Sequence, residues 1–144
     1  LEQLRVAIEQ VIVGTEPAAD QPVDLPVFDV DAMRAIIGDD DESIRELLAF
    51  YLDTTLPQWG ELRQACEAGD CARAAHVAHK LKSSARSVGA LELAECCGAL
   101  ERAARSGRIA YLKQGVKRQG STQARAEEAI RNYLEDTLSR RPQA

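Results

Sequence analysis

From Ile44 to Cys66 the apolar residues Ile44, Leu47, Leu48, Tyr51, Leu52, Trp59, Leu62 and Cys66 recur at intervals dominated by three and four positions. That spacing lines up one side of an α-helix, whereas a half-buried strand would need strict alternation. The stretch therefore predicts a long helix, from about Glu42 to Ala68, that must bury one face against something else. Aromatic residues make up only 4% of the chain against 45% hydrophobic residues in all. A core built mostly from Leu, Ala, Val and Ile favours packed helices over a sheet sandwich.

The punctuation between stripes sets the other elements. Leu1 to Val13 can form a short amphipathic helix, and Gly14 to Pro26, with Pro17, Pro22 and Pro26, reads as a linker. Asp29 or Asp31 can cap a short helix holding Met33, Ile36 and Ile37, which Gly38 ends. The acidic run Asp39 to Glu42 resembles a metal loop, but carboxylates at the positive end of the next helix are the simpler account. Pro57 should bend that helix or mark an irregular turn. Gly69 closes it, Asp70 caps a helix from Cys71 to about Val88, Gly89 breaks the run, and a helix from Ala90 to about Ser106 stops at Gly107. A last helical segment from Arg108 is weakest in its middle, at Gly115 and Gly120-Ser121. The expected fold is all-α, an antiparallel up-down four-helix bundle with an additional short N-terminal helix. Residues 1–27 form the N-terminal helix and linker, 28–139 the compact domain, and 140–144 a frayed tail.

Composition narrows the function. The 144 residues carry 18 basic and 23 acidic side chains, a net charge of -5 that repels phosphate backbones, so nucleic acid is not expected as a partner. No apolar run approaches membrane-spanning length, so direct membrane contact is not expected either. Cys66, Cys71, Cys96 and Cys97 form no CxxC pair, and Cys96 and Cys97 would diverge by about 100° on a helix. Reduced thiols are expected and no metal site is assigned. No GxxxxGK loop, nucleotide lid or paired-carboxylate site is present, so the chain has no evident means of binding ATP.

One stretch carries chemistry: HVAHKLKSSARSVG, from His76 to Gly89. At about 100° per residue, Ala74, Val77, Ala78, Leu81, Ala85 and Val88 gather on the side that must meet the bundle, and His79 points roughly 150° away from them. Its surface neighbours are Ala75, Lys82, Ser83 and Arg86. The small Ala75 and Ser83 leave the ring protruding, while Lys82 and Arg86 place positive charge beside it. A largely neutral imidazole with an open approach can attack phosphorus, and the nearby cations would meet the transferred charge. His76 is three positions earlier, but HxxH lacks a third ligand of convincing spacing, and a solvated or partner-contacting role fits it better.

Ala78-His79-Lys-Leu-Lys82-Ser83-Ser84-Ala85, then Gly89-Ala90, Leu93, Cys97, Leu100 and Glu101, closely resembles the signature of histidine-containing phosphotransfer (HPt) domains. The resemblance runs from about Phe28 to Gly107 and more loosely into the last helix. It implies an exposed phosphoacceptor at His79, phosphoryl stabilisation by Lys82 with possible charge support from Arg86, and partner docking through Ala75, His76, Ser83 and Arg86. Gly89 would be the structural turn glycine. Ser83 departs from the family's usual glycine, which implies a changed transfer rate. The resemblance further implies a phosphorelay intermediate that takes a phosphoryl group from a receiver-domain aspartate and passes it to a response-regulator receiver. No cofactor is expected on this domain, with Mg²⁺ on the partner receiver. A cytoplasmic, monomeric phosphocarrier is expected, with a membrane-bound hybrid sensor kinase as one form of parent protein. The rival readings are a noncatalytic helical interaction module that docks a receiver or kinase domain, and a small metal hydrolase.

Overall fold

The computed structural model describes residues 24–140. The helix expected over Leu1 to Val13, nearly all of the linker and the tail beyond Arg140 lie outside the described residues. Among the described residues the chain forms α1 (Val30–Ile37), α2 (Asp41–Ala68), α3 (Cys71–Ser87), α4 (Leu91–Arg105) and α5 (Ile109–Arg140). α2 packs on α3, α3 on α4 and α4 on α5, and α5 returns against α2 to close an antiparallel bundle, with α1 lying against α2.

Local chemistry starts these helices where the sequence places them. Asp29 caps α1, its Oδ1 accepting from the backbone N–H groups of Asp31 and Ala32 at 3.0 and 3.2 Å. Asp70 caps α3 through the N–H of Arg73 at 3.2 Å. Two helix N–H groups at the start of α1 and one at the start of α3, which would otherwise lack partners, are thereby satisfied. In the acidic run, Asp41 and Glu42 occupy the first turn of α2, where the helix dipole favours them. Asp40 precedes that helix without capping it; its carboxylate accepts from the Ser43 hydroxyl at 2.7 Å instead.

The core follows the predicted stripes. Ile44, Leu48, Tyr51, Trp59 and Leu62 of α2 meet Val77 and Leu81 of α3, Leu93 and Leu100 of α4, and Leu112 and Ile130 of α5. Each large aliphatic side chain buried this way contributes about 1.5–3 kcal/mol. Ile36 of α1, counted with the apolar set, is 62% exposed, while Met33 takes the buried position. Between α3 and α4 the buried residues are mostly small: Ala74, Ala78 and Ala85 face Ala94, Cys97, Gly98 and Ala104. Small side chains let these two axes approach closely, and this pair forms the most extensive helix contact in the molecule.

Neither an irregular turn at Pro57 nor a break in the middle of the last helix interrupts its helix. α2 runs through Pro57 as one helix of 28 residues. Proline removes the bond to the carbonyl of Asp53, yet both residues are exposed, so water can serve that oxygen. Side chains stitch the flanking turns: the hydroxyls of Thr54 and Thr55 donate to the carbonyls of Phe50 and Tyr51 at 2.8 and 2.7 Å, and Gln58 Nε2 donates to that of Thr54 at 3.1 Å. α5 likewise continues for 32 residues through Gly115, Gly120 and Ser121. Gly115 is buried against α4, where a Cβ would lie 2.9 Å from Leu100 Cδ2, so its missing side chain serves close packing.

The turn between α3 and α4 is tied to the segment before α1. The Asp29 N–H donates to the Gly89 carbonyl at 2.8 Å, and the Glu92 N–H to that of Pro26 at 2.9 Å. Gly89 has φ +77°, and a Cβ there would run into the Asp29 carbonyl. The predicted turn glycine is therefore required twice, by its left-handed backbone and by a neighbouring strand of main chain.

Candidate functional site

His79 sits mid-way along α3 on the side opposite its buried Ala/Val/Leu face, and its side chain is 55% exposed. One ring nitrogen points inward. Nδ1 lies 3.0 Å from Oε2 of Glu101 on α4, a carboxylate with only 8% of its side-chain surface exposed. The close α3–α4 approach through small residues is what brings two side chains 22 positions apart into contact.

Glu101 is the hub of the site. Lys82 Nζ lies 2.9 Å from its Oε1 as an ion pair. Arg105, one turn further along α4, donates through Nε and an Nη to Oε2 at 3.0 and 2.8 Å. Burial alone would raise the carboxyl's pKa, but the Lys82 and Arg105 cations and the His79 ring outweigh it and pull the group down to about 2. At neutral pH Glu101 is thus an anion that can only accept hydrogen bonds. The nitrogen facing it must carry the hydrogen, so a neutral His79 ring holds its lone pair on Nε2, the outer nitrogen. An accessible nucleophilic nitrogen is the chemistry this arrangement offers.

The other predicted site residues fall around this centre. Lys82 is only 23% exposed and is engaged with Glu101 rather than standing alone beside the ring. Ser83 and Arg86 are exposed further along α3. Half-buried Ala75 and exposed His76 lie toward its start and, with Cys71, Ala72, Ala104 and Arg105, line an open groove of about 420 Å³. Gly89 belongs to the turn described above, outside the cluster. In the sequence Glu101 enters only as part of a spacing pattern, and Arg105 is not among the expected site residues. A signal for both was present: a glutamate stands on the stripe of Cys97, Leu100 and Ala104 that α4 buries, with an arginine four positions later.

The cysteines lie apart from this chemistry. Cys66 and Cys97 are buried and Cys71 and Cys96 half-buried, all as free thiols. Burial pushes Cys66 and Cys96 up to about 11 and Cys97 well above its usual range, which keeps them protonated packing groups at neutral pH. Among the described residues no helix is long and apolar enough to cross a membrane.

The family description "Hpt domain" matches residues 46–140, which include the whole of α3, α4 and α5. The chain belongs to the Hpt family. It is a histidine phosphotransfer domain with a relay role, and Hpt domains pass phosphate to receiver domains. Among solved structures, this Hpt domain is similar to the crystal structure of histidine-containing phosphotransfer protein B from Pseudomonas aeruginosa PAO1. The two share 22% sequence identity and superpose with a TM-score of 0.70, over 77% of this chain and 96% of that one. The likeness confirms the helical-bundle fold of the Hpt domain. A comparison with curated proteins gave no match.

Proposed function

We propose that His79 is the phosphoacceptor and that its Nε2 attacks, in line, the acyl phosphate of a receiver-domain aspartate. The N–P bond forms as the bond from phosphorus to the aspartyl oxygen breaks, and that bond's electron pair returns to the receiver carboxylate. The reverse chemistry on a second receiver discharges the domain, so the chain carries phosphate from a hybrid kinase's receiver to that of a response regulator. The observation that carries this reading is the half-exposed His79 ring, whose inner nitrogen donates to a buried, ionised carboxylate and whose outer nitrogen is left as the nucleophile.

Lys82 and Arg86 supply positive charge to the incoming phosphoryl group, as charge-assisted contacts favour. Ala75, His76, Ser83 and Arg86 form the docking face, continuous with the groove toward the start of α3. Mg²⁺ held by the receiver would neutralise phosphoryl oxygens during transfer. The free thiols suit a reducing compartment, and we place the exchange in the cytoplasm.

The test uses phosphorylated receivers carrying a radioactive label. Wild type should acquire acid-labile label, His79→Asn should acquire none, and His76→Asn should retain most of it. Label that persists in the His79→Asn chain would overturn the assignment.

A further inference from the structure

We propose that the face formed by α2 and α5, on the far side of the bundle from His79, is a self-complementary docking surface whose occupant is a second copy of this chain, held antiparallel along α5.

The order of the helices sets this face apart from the phosphoryl chemistry. α2 packs on α3, α3 on α4, α4 on α5 and α5 on α2, and His79 meets Glu101 across α3 and α4. The α2–α5 face is therefore the opposite one. Leu56, Ile109 and Leu138 lie on it, each between 44% and 65% exposed. Leu56 is placed there by its helix: Glu61 marks the α3 flank of α2 through its pair with Arg73, and at about 100° per residue Leu52 and Leu56 fall on the other flank.

The charges on α5 specify the occupant. Steps of three and four residues lead along its outer side from Ile109 to Lys113 and Lys117, through Gly120 to Glu128, and on to Glu135 and Leu138. The stripe is apolar at both ends, cationic in its first half, small in its centre and anionic in its second half. Lys113 and Lys117 stand one turn apart, where like charges repel. Among the described residues neither lysine makes an ion pair, and nor does Glu128 or Glu135, whereas Arg125 and Arg131 beside them are paired with Glu92 and Glu127. A two-fold axis crossing the middle of α5 satisfies all four. It sets Lys117 opposite Glu128 of the partner subunit, Lys113 within about a turn of Glu135 of the partner subunit, and Ile109 against Leu138 of the partner subunit.

Two further features fit that axis. Tyr51 lies near Glu127, so Leu56, five positions further along the antiparallel neighbour, is level with the axis and meets its own copy. At Gly120 nothing lies within 4 Å of a Cβ, so packing inside this chain gives no reason for a glycine in mid-helix; close approach of a second helix gives one. Exposed ion pairs contribute little singly, and the face is narrow, so the association is weak and sensitive to salt. The two His79 rings then point away from each other, which leaves both copies open to receivers.

The test is sedimentation equilibrium of the 144-residue chain at concentrations up to about 1 mM, in low and high salt. The mean mass should climb toward that of two chains, and less so in high salt. Lys117→Glu and Glu128→Lys should each stay monomeric, because each sets like charges across the axis. Mixed in equal amounts they should associate again, since each supplies the charge that the other lacks. Both positions are exposed, and circular dichroism should show both variants as helical as wild type. A wild-type chain that stays monomeric at the highest concentration overturns the proposal, as does association that survives in both variants or fails to return in their mixture. Label transfer from a phosphorylated receiver should proceed in both variants as in wild type; slower transfer would make this face a receiver-docking site and overturn the second copy as its occupant.

Discussion

At the scale of single residues, the His79–Glu101 contact couples the stability of the domain to pH. Glu101 titrates at 4.5 when free and at about 2 in the fold, where burial opposes the carboxylate but Lys82, Arg105 and His79 favour it more strongly. A depressed carboxyl contributes stability that is fully present above its unfolded pKa and is lost as pH falls through its folded one. The window therefore runs from pH 4.5 down to about 2, and the contribution at stake is about 3 kcal/mol. Urea unfolding of wild type and Glu101→Gln across that window should show the variant less stable at neutral pH and the difference closing as pH approaches the lower end. A constant difference would mean that the carboxylate's charge does not support the fold. The outward direction of His79 was legible in the sequence because it depends only on position along its own helix. Its partner was not: an ion cluster between residues 22 positions apart depends on how closely two helices approach, and that follows from the alanine, cysteine and glycine between them rather than from any local pattern.

At the scale of elements, glycines of similar backbone conformation should differ in how much they matter. Gly89 and Gly107 both have positive φ, at 77° and 71°, and an alanine at either would carry roughly 1 kcal/mol of left-handed strain. Only Gly89 also has the Asp29 backbone against it, whereas nothing lies within 4 Å of a Cβ at Gly107. Gly89→Ala should therefore cost about 3 kcal/mol or more, since main chain cannot swing aside as a side chain can. Gly107→Ala should cost about 1 kcal/mol. Chemical denaturation measures both, and hydrogen exchange at the Asp29 and Glu92 amides should accelerate in the first variant alone, because those amides donate across this joint. Helix starts and stops of this kind were readable from Asp29, Asp70, Gly69 and Gly107. Continuity was not: Gly115 and Gly120 look like breaks in a sequence, yet one is packed against Leu100 and the other is exposed on a helix fixed by its buried neighbours. Propensity yields to tertiary packing there, as it does at Pro57.

At the scale of the whole molecule, charge is segregated in a way that serves an encounter with another protein. The chain carries a net charge of -5, yet α3 holds Arg73, Lys80, Lys82 and Arg86 and no acidic residue. The bundle topology, legible from apolar stripes and short connections, puts this cationic helix on the surface with His79 at its middle, and Arg105 of α4 adds to the same side. A negatively charged partner site is attracted to this face and repelled by much of the rest, which orients the approach before contact. Such steering acts on association and is screened by salt, because the charges involved are largely exposed. Stopped-flow transfer from a phosphorylated receiver should accordingly slow by roughly ten-fold when ionic strength is raised well above the physiological range. Arg86→Gln should flatten that salt dependence and lower the second-order rate while leaving urea stability unchanged, since Arg86 is exposed at the last turn of α3. A variant rate that matches wild type at low salt would show that Arg86 neither steers the encounter nor supports the phosphoryl group, and that docking on this part of α3 is governed by shape and apolar contact.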